Sequence, residues 1–232
     1  SVQELPSSSR SLTLWHLASL VIVLLLTVAS LAGVLYGTRI YPRPDLQMVR
    51  VPLDIFTLVV ALPLVLGSMW SARRGKLVGL LCWPGLLLYV LYVSVSYLAG
   101  VPFGELFPVH LILAPLSVCT LIGLVASIDG QAVQRRLSGT VPARAVGGLL
   151  TGLTVLFFLK DMGDIITALA GQTAVQALPI EAWIADFAVM PACLAGGFLL
   201  WRRAALGYAA GPGLLLLYSL LLLGLVPVML YS

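Results

Sequence analysis

Long apolar runs, separated by short clusters of arginine, proline and glycine, fill the chain from Leu12 almost to its last residue. Several runs reach the roughly 20 residues that a bilayer-spanning helix requires. Stretches such as Leu86-Leu87-Leu88 and Leu214-Leu215-Leu216-Leu217 lack the period-two alternation of barrel strands. Backbone polar groups in lipid must be satisfied within the segment, which leaves helices. The pattern predicts an all-α polytopic membrane protein with seven transmembrane helices, over 12–36, 52–71, 77–98, 108–128, 145–170, 179–201 and 205–230. Pro52, Pro108 and Pro179 are read as helix starts, where a missing N–H is harmless. Pro63, Pro84, Pro115, Pro191, Pro212 and Pro227 fall inside helices and predict kinks. The first run, Leu12 to Tyr36, exceeds the apolar core of a signal peptide and is expected to be a true first helix.

Composition sharpens this picture. Only 9% of residues are charged, against 60% hydrophobic; a soluble domain carries about 25% charged residues and could not clothe its surface otherwise. The lipid bilayer is therefore the expected surroundings, most simply a cell membrane. The formal charge of +4 resides in short loops rather than in a basic patch, so no nucleic-acid partner is expected. Arg10, Arg73, Arg74, Lys76, Arg135, Arg136, Arg144, Arg202 and Arg203 fall on one side; Arg39, Arg43 and Arg50 fall on the other. The positive-inside rule then places the N-terminus in the cytoplasm and the C-terminus outside. Cys82, Cys119 and Cys193 lie in apolar runs without a CxxC, and His16 and His110 lie near opposite faces. Neither a metal site nor a haem or other cofactor is expected. Asp129-Gly130, with Ala132 and Arg135, lacks the spacing of the CDP-alcohol phosphotransferase signature. No GxSxG or matched Ser/His/Asp set occurs, so no catalytic residue is assigned.

Helices two and three resemble helices six and seven. One copy reads Asp54, Pro63, Trp70, Arg73-Arg74, Gly79, Pro84-Gly85 and Tyr89; the other reads Asp186, Pro191, Trp201, Arg202-Arg203, Gly207, Pro212-Gly213 and Tyr218. Small gaps around the arginine pair bring the two into line. The expected layout is a single transmembrane domain with a three-helix repeat over 12–98, a linker helix over 108–128 and a second repeat over 145–230. Parallel three-helix repeats with a linker are the layout of SWEET-type sugar transporters; the Pro-Gln signature of that family is absent here.

Acidic residues concentrate in the half away from the arginines. Asp54, His110, Lys160, Asp161, Asp164 and Asp186 are the candidate solute- or ion-binding residues, because ionisable groups within membrane helices usually face a bundle interior or wet cavity. Lys160 and Asp164 share a helix face at i,i+4 spacing, which predicts an internal ion pair. The helix start offers Asp54 an alternative role as a favourable first-turn charge. The leading expectation is an outward-facing acidic pocket that binds and transports a small solute or cation, with a coupling proton on the helix-five group. The alternatives are a non-catalytic membrane subunit, with Ala195, Gly196 and Gly197 admitting a membrane protein partner or a second copy, and an intramembrane enzyme using the helix-five carboxylates.

Overall fold

A computed structural model describes residues 9–101, 103–171 and 180–231. Among them the chain forms α1 (Ser9–Leu35), α2 (Gly37–Ile40), α3 (Pro44–Phe56), α4 (Leu62–Arg73), α5 (Leu77–Gly100), α6 (Phe107–Ala126), α7 (Gly130–Leu137), α8 (Ala143–Leu169), α9 (Ile180–Trp201) and α10 (Ala205–Tyr231). No strand occurs among the described residues. A π-helical turn, Thr57–Ala61, joins α3 to α4, so that Pro44–Arg73 is one span of 30 residues. Among the described residues seven helices are long and apolar enough to cross a membrane, the build of a multi-pass membrane protein.

The second span begins earlier than the prolines suggest. Pro44, not Pro52, sits at the helix start, and Pro52 lies inside α3. The π turn falls between Pro52 and Pro63, and local π geometry is one way a membrane helix absorbs the N–H a proline lacks. Asp54 is consequently deep in its helix, which removes the first-turn explanation for its charge. Pro108 is at the start of α6 as expected, and Pro179 lies outside the described residues. The 129–144 connection contains α7, whose N-cap is Asp129: its carboxylate accepts from Gln131 N at 3.0 Å and Ala132 N at 3.1 Å.

Helix α5 is the centre of the bundle. Leu80, Trp83, Leu86 and Leu87 are wholly buried, and α4, α6, α9 and α10 pack around them. Helix α1 joins through polar contacts near the arginine-rich ends. Trp83 Nε1 donates to Ser19 Oγ at 3.0 Å, Trp15 Nε1 donates to Ser127 Oγ at 3.0 Å, and His16 lies 2.7 Å from Leu12 O and 3.1 Å from Met69 O. The outer faces carry Leu24, Val59, Ile122, Leu156 and Leu223, an apolar coat suited to lipid.

Helices α5 and α10 cross with their backbones in contact. A Cβ on Gly85 would collide with the carbonyl of Gly213, and one on Gly213 would stand 2.8 Å from Gly85 N. The turns preceding these helices share a hydrogen-bond pattern. Arg74, Gly75 and Lys76 N–H bond to Trp70, Ala72 and Ser71 O; Arg202, Arg203 and Ala204 N–H bond to Phe198, Leu200 and Leu199 O. Gly75 and Arg203 are both left-handed, at φ 78° and 59°. Gly79 and Gly207 each press on the preceding helix where no side chain would fit. Pro63 and Pro191, Arg74 and Arg202, Gly79 and Gly207, and both Pro-Gly pairs are all 128 residues apart. This gap-free register differs from the expected one, because it pairs Trp70 with Phe198 rather than Trp201. Arg74 lies 3.6 Å over the Trp70 ring, and Arg202 lies 4.6 Å over the Phe198 ring. Asp54 and Asp186 are 132 apart, one helical turn out of step.

Gly196 and Gly197 serve the chain itself. Gly196 faces Leu214 of α10, and Gly197 faces Leu150 and Thr151 of α8, so neither is open to a partner.

Candidate functional site

A cavity of about 190 Å³ lies inside the bundle, in the half remote from the arginine-rich ends. Six spans supply its wall: Arg50, Asp54 and Thr57 from the second span, Tyr89, Tyr92, Ser96 and Tyr97 from α5, His110 from α6, Phe157 and Lys160 from α8, Asp186 from α9, and Leu220, Leu221 and Gly224 from α10. Tyr41 reaches in from the turn before α3. At about 30 Å³ per water, the volume equals about six waters.

One wall is organised around Asp54. The buried Tyr41 hydroxyl donates to its Oδ2 at 2.6 Å. Gly33 of α1 backs this pair: a Cβ there would collide with the Asp54 carboxylate and stand 2.8 Å from the Tyr41 oxygen. Burial, and then the neighbouring Asp54 charge, hold the Tyr41 phenol well above its ordinary pKa, so it remains a donor. Arg50, one turn before Asp54, is 6% exposed. Its Nη2 donates to Ser96 O at 2.7 Å and Ser96 Oγ at 2.9 Å. Its Nε is buried without a partner, and no ion pair joins Arg50 to a carboxylate among the described residues.

The facing wall is built on α8 and α9. Lys160 Nζ lies 3.1 Å from Asp161 Oδ1 and 3.0 Å from Asp164 Oδ2. Asp161 is wholly buried, and its Oδ2 has no hydrogen-bond partner. Asp186 lies within reach of the Tyr92 hydroxyl and of Asp161. Within the lining Thr57 and Tyr89 pair their hydroxyls at 3.0 Å, and outside it Thr154 and Tyr218 pair at 2.7 Å. Across the top, His110 stacks on Tyr97 with centroids 3.9 Å apart, and its Nδ1 lies 3.1 Å from Leu106 O.

Of the residues expected to bind a solute, Asp54, His110, Lys160 and Asp186 share this cavity. Asp161 stands behind the wall. Asp164 does not line it; its half-exposed carboxylate only shares the Lys160 ammonium. Sequence reading missed Arg50, which was assigned to the outer loop because the helix was started too late. Its i,i+4 spacing from Asp54 was the available signal. It also missed Tyr41, Tyr92 and Ser96, for which no local pattern exists. Arg50 alters the electrostatics: Arg50 and Lys160 face Asp54 and Asp186, with Asp161 behind, so the walls are mixed rather than simply acidic.

Among the described residues, no three His, Cys, Asp or Glu side chains cluster as metal ligands. The hydrogen bond of His110 is to a carbonyl, not to a hydroxyl or thiol. What the geometry offers is a chamber of about 190 Å³ with a mainly apolar lining, in which each of the two walls carries one cationic and one acidic side chain. The chain matches no known family profile, no curated protein and no solved structure.

Proposed function

We propose that this protein binds a small polar solute in the central cavity and carries it across the membrane. The observation that carries the reading is the cavity itself: ionisable side chains from four spans converge on one chamber within a bundle otherwise coated for lipid. Membrane interiors tolerate such groups where they meet a wet path. Transport sites form where internal repeats meet. The duplication is supported by the constant 128-residue register, the matching turns and the Gly85–Gly213 crossing, at which the two Pro-Gly motifs touch. Helix α1 then corresponds to α8, and α6 is the linker. Arginine counts place the N-terminus in the cytoplasm and open the cavity half toward the outside, in a cell membrane. Lys160, Asp161 and Asp164 form the coupling group beside the solute.

The test is uptake into proteoliposomes of labelled amines, amino acids and sugars, comparing wild type with Asp161→Asn. The variant is expected to lose uptake while eluting and unfolding like wild type. Undiminished uptake would remove Asp161 from the mechanism, and no uptake of any class by wild type would argue against transport.

A second reading, a non-catalytic subunit, draws on α8. Gly148 and Gly152, at GxxxG spacing, have open space where a Cβ would be, so a neighbouring helix could approach there. A second protein co-purifying at fixed ratio, and lost in Gly148→Leu, would favour this reading; a monomer in nanodiscs would oppose it.

A further inference from the structure

We infer that the solute is a compact zwitterion whose carboxylate docks on Arg50 and whose ammonium docks toward Asp186; this rests on the cavity-binding reading above. The starting point is the incomplete bonding of Arg50. The guanidinium has five N–H donors in a fixed fork. Here only Nη2 is engaged, on Ser96 O and Oγ, while Nε is buried and unpartnered. Gly100 makes the seat: a Cβ there would stand 3.0 Å from Nη2. A charged donor left bare in a protein interior is unfavourable, and with both forked edges closed by the Nη2–Ser96 bonds a solute carboxylate meets the remaining Nη1 through a charge-assisted hydrogen bond. Asp54, one turn away, does not supply that acceptor, since its Oδ2 is held by Tyr41 and no ion pair links it to Arg50.

The opposite wall asks for the reverse. The Lys160 ammonium is taken up by Asp161 and Asp164. Asp186 faces the cavity with Tyr92, Asp161 and the already paired Lys160 around it, and no ion pair of its own among the described residues. A cation fits that end, and the rings of Tyr89, Tyr92 and Phe157 in the wall add favourable faces for it. A pure amine would leave Arg50 bare, and a pure carboxylate would meet Asp186. A molecule carrying both groups satisfies both walls.

The experiment is calorimetric titration of the full chain in nanodiscs. The probes are glycine, β-alanine and 4-aminobutanoate as zwitterions of increasing charge separation, ethanolamine and acetate as the separate halves, and glycerol as a neutral polyol. At least one zwitterion is expected to bind tenfold or more tightly than either half. Arg50→Gln is expected to weaken it at least tenfold, Arg50→Lys by less, and Asp186→Asn to remove the preference for zwitterion over acetate. Because Arg50 is buried, Ser96→Ala provides a milder change that keeps the charge but loosens its seat; a threefold to tenfold loss is expected in a protein that unfolds like wild type. Binding of ethanolamine or glycerol as tight as any zwitterion, or zwitterion affinity unchanged in Ser96→Ala and Arg50→Lys, would overturn the Arg50 assignment while leaving the cavity as a binding site. Absence of binding by all six probes would overturn the zwitterion, and loss of uptake of every class in proteoliposomes would overturn the cavity reading beneath it.

Discussion

The Tyr41–Asp54 hydrogen bond carries a quantitative prediction. Tyr41 stands outside the spans, in the turn between α2 and α3, and its hydroxyl reaches Asp54 Oδ2 at 2.6 Å with both side chains buried. Hydrogen bonds to charged groups contribute about 1.5–3 kcal/mol in soluble proteins. Interhelical hydrogen bonds in membrane proteins average only about 0.6 kcal/mol, with a maximum near 1.7, because the unfolded chain in lipid also finds partners. This bond is short and charge-assisted, and the missing side chain of Gly33 leaves the carboxylate and the Tyr41 hydroxyl room to meet. The coupling should therefore lie near the top of the membrane range, about 1.5 kcal/mol. The assay is a double-mutant cycle of Tyr41→Phe and Asp54→Leu, with stability measured by equilibrium unfolding in mixed micelles. Each single change is expected to destabilise by more than its share in the double mutant. A coupling below about 0.5 kcal/mol would refute the argument and reduce the contact to an ordinary interhelical bond.

Gly85→Ala and Gly213→Ala should each destabilise by about 1–3 kcal/mol, because the new methyl meets backbone that cannot rotate away; Gly148→Ala, in open space, should be neutral or stabilise by up to about 1 kcal/mol. Equal stability of all three variants in the same unfolding assay would contradict the backbone contact. Gly33→Ala should cost ligand affinity more than stability, since the collision falls on the Asp54 carboxylate; calorimetry with the best-binding probe checks it. Lys160→Met leaves Asp161 buried without a cation, and the half-exposed ammonium lowers the 3–5 kcal/mol of a fully buried pair to about 1–3 kcal/mol. Asp164→Asn, at the exposed end, should cost less than about 1 kcal/mol, and a reversed order of these two would show that Asp164 is the principal partner.

Much of the architecture was legible because bilayer physics leaves few choices. Run length selects helices, so all seven spans could be counted without tertiary information. Boundaries were less secure where two prolines compete for one helix start. Pro44 and Pro52 both suit that role, and only the tertiary structure shows which N–H is missing harmlessly. That one error carried Arg50 out of the helix and concealed its place opposite Ser96. The i,i+4 pairing of Lys160 with Asp164 was readable from spacing, since both residues belong to one helix. The approach of Asp186 to Tyr92, and of Tyr41 to Asp54, joins separate elements and has no local signature. Trp70 and Trp201 looked equivalent because both mark an interface, whereas in the hydrogen bonds of the two turns the position of Trp70 O is taken by Phe198 O.

The contact between Gly85 and Gly213 has a mechanical meaning. Where Gly85 meets Gly213, α5 and α10 bear on each other through backbone, as at a fulcrum. Tyr89 and Tyr97 lie four and twelve residues along α5 from that point, or about 6 and 18 Å at the helical rise. Tilting one helix by about 10° over the fulcrum sweeps those positions through about 1–3 Å. Displacements of that size are comparable to the contacts within the chamber, so the α5 side of its wall is the part that such a tilt reshapes.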